Sequence, residues 1–183
     1  MSISARPALF PSRAHWRETT VLLAVAGLLP FLVHLLPWPG HRPLGVYVLP
    51  VFWTTFIAVY FRGAVLGLLV GLVTPVINLL LTGLPVSTAI GSMSLEIAFF
   101  VLAAAWLAGR WPGFRFTAPL AWVVGKGLAI TVQYFIPAFA ETEFPWQHLA
   151  RSTQNGLAGL AVLVAINLLL VKLYPKTDEW EKE

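Results

Sequence analysis

The stretch Leu44–Leu81, LGVYVLPVFWTTFIAVYFRGAVLGLLVGLVTPVINLLL, decides the fold. It carries a single charge, Arg62, with Gly63 beside it. One helix needs roughly 20 apolar residues to cross the hydrocarbon core of a bilayer, and this run supplies enough for two. We therefore read it as two membrane helices, about Leu44–Phe61 and Ala64–Leu81, joined by a very tight connection at Arg62-Gly63. Gly63, Gly67 and Gly71 recur every four residues where the second of these begins. That spacing puts small residues on one helix face and lets another helix approach closely.

Working outward, the same pattern repeats on both sides. An apolar run of about Thr19–Leu36, with Pro30 inside it, precedes the rigid polar break Pro37-Trp38-Pro39-Gly40-His41-Arg42-Pro43. After Leu81 come runs of about Thr88–Ala108, Ala118–Phe139 and Thr153–Val171, separated by short segments rich in Gly, Pro and charge. The expectation is an all-α, polytopic membrane protein of six transmembrane helices. Residues 1–18 form a cytoplasmic tail, 19–171 the membrane domain and 172–183 a charged cytoplasmic tail. Arg6, Arg13 and Arg17 precede the first run, but it is long for a signal peptide and no small-x-small cleavage site follows, so it reads as a retained helix.

Composition supports this reading. Of the 183 residues, 58% are hydrophobic and only 11% charged, too few to cover a soluble domain of this size. The mean hydropathy is +0.78. The net charge of +4 does not point to nucleic acid, because the basic residues are scattered at the edges of apolar runs. Their placement gives an orientation instead. With the N-terminus inside, Arg6, Arg13, Arg17, Arg62, Arg110, Arg115, Lys172, Lys176 and Lys182 lie on the inner side, and only Arg42 and Arg151 on the outer. Nine against two places both termini in the cytoplasm by the positive-inside rule.

Two ionisable residues lie within predicted spans. Glu96 is about eight residues into the fourth helix and Lys126 about eight into the fifth. Intramembrane charges are expensive and face protein or a water-filled cavity. At 1.5 Å per residue, Glu96 is roughly 12 Å below the outer surface and Lys126 roughly 12 Å above the inner one. In a core of about 30 Å their heights differ by about 6 Å, which long side chains can bridge. The plain reading is an ion pair that neutralises both charges; the functional one is a pocket in which one or both hold a polar ligand.

Other polar groups crowd toward the outer half. They include Asn78, Thr82, Ser87, Ser92, Ser94, Gln133, Tyr134, Gln154 and Asn155, with Trp38, His41, Tyr47, Trp146 and His148 in or near the outer loops. An apolar and aromatic cavity with a few polar groups is the usual form of a small-molecule site. In this reading Glu96 and Lys126 make the charged contacts. Asn78, Gln133 and Asn155 supply hydrogen bonds, and Trp38, Tyr134 and Trp146 stack on or cover the ligand. Metal and nucleophile chemistry find no support. The chain has no Cys, its four His fall in different segments, and no phosphate loop, HExxH or nucleophile elbow occurs. No cofactor is expected, and the chain is not read as an enzyme.

The stretch Leu49–Gly109 resembles the substrate-binding S components of energy-coupling factor (ECF) vitamin transporters. The resemblance rests on Leu49-Pro50-Val51, on Gly63, Gly67 and Gly71, on Pro75-Val76-Ile77-Asn78-Leu79-Leu80-Leu81-Thr82-Gly83-Leu84-Pro85 with its T-G-x-P ending, and on Met93 and Glu96 as an M-x-x-E. It implies a six-helix S-component bundle in the plasma membrane of a prokaryote. The outer loops and outer halves of helices four to six would enclose one vitamin or related micronutrient. A separate transmembrane T component and two ATPase subunits would power uptake. A different class, the rod-shape-determining membrane scaffolds of cell-wall synthesis, shares size, helix count and glycine-rich third helices. Such a scaffold needs neither a pocket nor a lid.

Overall fold

The computed structural model describes residues 20–21, 24–25, 28–33, 35–37, 39, 44–83, 87–136 and 144–175. Trp38, His41 and residues 84–86 and 137–143 lie outside the described residues, as do most of the segments expected to be tails. Positions 20–21, 24–25, 28–33 and 35 are helical, and we label this segment α1. The others are α2 (Leu44–Val48), α3 (Pro50–Thr82), α4 (Ser87–Arg110), α5 (Thr117–Phe135) and α6 (Pro145–Leu173). No strand occurs among the described residues.

The stretch that decides the fold becomes α2 and α3. α3 contains Gly63 at φ 79°, ψ −171°, a non-helical conformation that divides it into two helical arms. The chain folds back there. A β-carbon placed on Gly67 would collide with Val59 Cγ2, and one on Gly71 would collide with Ile97 and come within 3.0 Å of Thr55 Oγ1. In a straight helix Val59 and Gly67 would be about 12 Å apart, and Thr55 and Gly71 about 24 Å. Those contacts require an antiparallel pair of arms, 50–62 and 64–82, with Gly67 and Gly71 at the seam. Gly63 itself is not a packing residue, since nothing lies within 4 Å of where its β-carbon would be. It serves the seam by taking a backbone conformation that side-chain-bearing residues avoid.

The predicted second helix is itself in two pieces. Leu49, at φ 53° and ψ 47°, is left-handed and separates α2 from α3. Pro50 follows it, and a proline disfavours the right-handed helical conformation in the residue before it. The strain of a left-handed leucine, roughly 1–2 kcal/mol, is offset by burying its side chain against α6. There it fills the space that β-carbons on Gly156 and Gly159 would occupy.

α4 is the central helix and packs most extensively on α5 and on α3. Phe56, Val59, Val70, Ile97, Phe100, Val101 and Leu163 are fully buried between these elements and α6. Gly125 brings α5 against the backbone of Phe100, which a β-carbon would approach to 2.6 Å. At the end marked by Gly63, Tyr60 donates to Tyr174 O at 2.7 Å. Asn167 caps α5 there, accepting from Ala118 N at 3.0 Å and donating to Phe114 O at 3.2 Å. These bonds tie α3, α6 and the α4–α5 turn together at one end of the bundle.

The bundle's outer surface is apolar, with Val65, Leu80, Leu102, Trp106, Val123 and Leu169 all more than half exposed. Contiguous apolar surface of that kind is a membrane or partner face. By length and composition, Ala89–Arg110 and Trp146–Leu173 are enough to cross a membrane, as is Pro50–Thr82 counted over both of its arms. α5 is not among these three; its 19 residues include Lys126 and Gln133. Two boundaries differ from expectation. α5 ends at Phe135, before the expected Phe139, and α6 begins at Pro145, two turns before Thr153. Proline is well suited to the first helical position, where no N–H partner is needed. Phe144 O accepts from both Gln147 N and His148 N to start the helix.

Candidate functional site

α4 and α5 run antiparallel, and their polar residues meet in rungs. Ser92 and Glu96 are one turn apart on α4, and Lys126 and Gln133 two turns apart on α5, so each pair shares a helix face. Lys126 Nζ donates to Glu96 Oε2 at 2.8 Å, with the two residues 5% and 7% exposed. Gln133 Nε2 donates to Ser92 Oγ at 2.9 Å, also buried. The close approach at Gly125 brings the two backbones together beside the ion pair.

A third helix completes the cluster. His148, in the first turn of α6, has Nε2 3.4 Å from Glu96 Oε1. Glu96 is the one acidic residue among the described residues, so the Lys126 ammonium and His148 imidazole converge on a single carboxylate. Lys126 Nζ also lies 5.1 Å from the centre of the Trp122 ring, one turn earlier on α5, a cation–π distance. Trp122 is buried, yet its Nε1 has no hydrogen-bond partner among the described residues. Buried indole N–H groups ordinarily find an acceptor. The cluster thus combines a carboxylate, an ammonium, an imidazole and a free buried N–H donor within one inter-helix layer. Among the described residues no group of three His, Cys, Asp or Glu is placed to hold a metal.

The remaining predicted residues divide. Asn78 is buried near the end of α3 and donates through Nδ2 to Thr74 O at 3.1 Å, while its Oδ1 has no partner among the described residues. Trp53 Nε1 and Thr55 Oγ1 on the first arm of α3 are likewise buried and unpartnered. Asn155 is half-buried, two turns after His148 on α6. Tyr134 and Trp146 are 69% and 74% exposed, so neither covers the buried cluster as expected. Tyr134 instead stacks edge-on against its neighbour Phe135. Trp38 lies outside the described residues.

The residue whose part the sequence understates is His148, expected in or near an outer loop and found in the first turn of α6. Pro145 was the signal, since a proline at the first helical position would have carried His148 into the first turn. Trp122 gave no signal of its own, although its spacing of four from Lys126 is a same-face spacing. No protein-family model, no curated protein and no solved structure matches the chain.

Proposed function

We propose that the chain crosses the plasma membrane six times with both ends in the cytoplasm and captures a polar small molecule from the outside. In this reading it is the substrate-capture subunit of an ECF-type importer for a vitamin or related micronutrient. The T component and two ATPases would act in trans. The observation that carries the reading is the buried Glu96–Lys126 pair with His148 and the unpartnered Trp122 Nε1 beside it. A fold that needed only apolar packing gains nothing from charges at that depth, because well-packed apolar residues are often as stable as a buried pair. A ligand with a carboxylate and a hydrogen-bond acceptor can compete with Glu96 for Lys126 and take up the indole N–H. The order of layers supports an outward-facing site, because the cluster lies toward the end of the bundle opposite Arg62, Arg110 and Arg115.

The cell-wall scaffold is the second reading, favoured by one observation. Glu96 already has two partners, so the cluster can pin three helices with no ligand at all. Mass spectrometry of small molecules retained by the detergent-purified protein, followed by calorimetric titration, separates the two. A retained metabolite whose binding is lost in Lys126→Met and in His148→Ala, each still monodisperse, supports capture. No retained metabolite, with cell-wall synthesis proteins co-purifying and ATPase subunits absent, rejects it in favour of the scaffold.

A further inference from the structure

The opposite end of the bundle carries a second concentration of chemistry. The α4–α5 turn forms an open concavity of about 650 Å³ lined by Arg110, Trp111, Pro112, Gly113, Phe114 and Leu120. It is remote from Glu96, nearly four helical turns along α4. Arg115 is exposed on the same turn, one residue past Phe114. The sequence holds no Asp or Glu between Glu96 and Glu141, and neither Arg110 nor Arg115 has an ion-pair partner among the described residues. The same turn and its flanks carry a chain of edge-on and tilted aromatic contacts: Trp106–Trp111 at 5.7 Å, Trp111–Phe114 at 6.2 Å and Phe114–Phe116 at 6.1 Å.

We propose that this turn binds the phosphate headgroup of an anionic phospholipid, with Arg110 and Arg115 on the phosphate and an acyl chain against Leu120 and the aromatic wall. Among the described residues the charge on this turn is unpaired and of one sign, which calls for an anion, and guanidinium groups match phosphate geometry. The wall is apolar, which calls for an amphiphile. A free phosphate would have no use for Trp111 or Leu120. The turn is rigid enough to present such a site, because Asn167 and Thr117 both bond Phe114 O.

The proposal rests on the membrane-embedded reading but not on any captured solute. Its test starts from carbonate-washed membranes and detergent-purified protein equilibrated with equal parts phosphatidylglycerol and phosphatidylcholine, with retained lipid read by native mass spectrometry. Wild type is expected to retain phosphatidylglycerol preferentially. Arg110→Gln/Arg115→Gln should lower that preference by about thirtyfold, taking each surface cation at its usual contribution to anionic-lipid attraction. Arg110→Lys/Arg115→Lys should keep most of it, and Arg151→Gln, an exposed cation on α6 outside this turn, should leave it unchanged. Equal retention of the two lipids by wild type overturns the proposal. So does a double variant that keeps the preference, an equal loss in Arg151→Gln, or displacement of the lipid by inorganic phosphate alone. Protein missing from the carbonate-washed membranes sinks the membrane reading itself, a result distinguishable from protein present without lipid preference.

Discussion

Replacing Lys126 with Met is the sharpest test of how the cluster holds the bundle. Methionine keeps the length and bulk of the side chain and removes the charge, leaving Glu96 buried with only the His148 contact at 3.4 Å. At 2.8 Å, and with an effective dielectric of about 20, the Coulomb attraction of the pair is about 6 kcal/mol. Desolvation of both groups cancels much of that, but removing one partner leaves the other's desolvation uncompensated. Broken buried pairs typically lose about 3–5 kcal/mol. For a chain of this size that corresponds to about 6–20 °C in Tm. The assay is a thermal melt of the detergent-solubilised protein followed by size-exclusion chromatography, run as a cycle of wild type, Lys126→Met, Glu96→Gln and the double variant. The double variant removes both charges together, so it should be less damaged than the sum of the singles, with a coupling of about 2–3 kcal/mol. Additivity within about 0.5 kcal/mol would refute the reasoning, because directly paired charges cannot act independently.

Three further outcomes follow from the backbone and the seams. Gly71→Leu should destabilise by about 3 kcal/mol or more, because the side chain meets Ile97 and Thr55, whereas Gly127→Leu, with nothing within 4 Å, should melt near wild type. Gly63→Val should lower stability by about 1–3 kcal/mol despite open space around it, since the penalty is conformational; a melt equal to wild type would show that the fold-back does not depend on that backbone geometry. Asn167→Leu should lose about 2 kcal/mol by leaving Ala118 N without its side-chain partner and Phe114 O with Thr117 Oγ1 alone, and hydrogen exchange should rise first in the opening turn of α5.

Much of the fold was legible because bilayer-compatible helices leave a coarse signal. The length of an apolar run and the position of its interrupting Gly, Pro and Arg are local properties, so the fold-back at Arg62-Gly63 and the limits of α4 could be read directly. Helix starts made of polar residues could not. Gln147, His148, Arg151 and Ser152 resemble a loop in composition, yet they form the first turns of α6 because Phe144 and Pro145 nucleate it. The two-piece character of the second predicted helix was hidden for a related reason. Leu49 is an unremarkable apolar residue in the sequence, and its left-handed backbone is tolerated only because Gly156 and Gly159, more than a hundred residues later, leave room for its side chain.

The candidate site divides along the same line. That Glu96 and Lys126 lie at similar depth follows from counting residues at 1.5 Å each, and their meeting required only that α4 and α5 face each other. Which other side chains join them depends on helix rotation, and one sequence does not contain it. Rotation is decided by seams such as Gly125 against Phe100, and Gly156 and Gly159 against Leu49, where a missing β-carbon chooses the face that docks. Those seams brought His148 and Trp122 into the cluster and left Tyr134 and Trp146 on the surface. By itself, then, the sequence determined an all-helical chain with an apolar exterior and charges at a shared depth, because burial and helix length are set residue by residue. Only the tertiary structure decided which charges touch and which aromatic residues attend them, because contact depends on how rigid helices turn against one another.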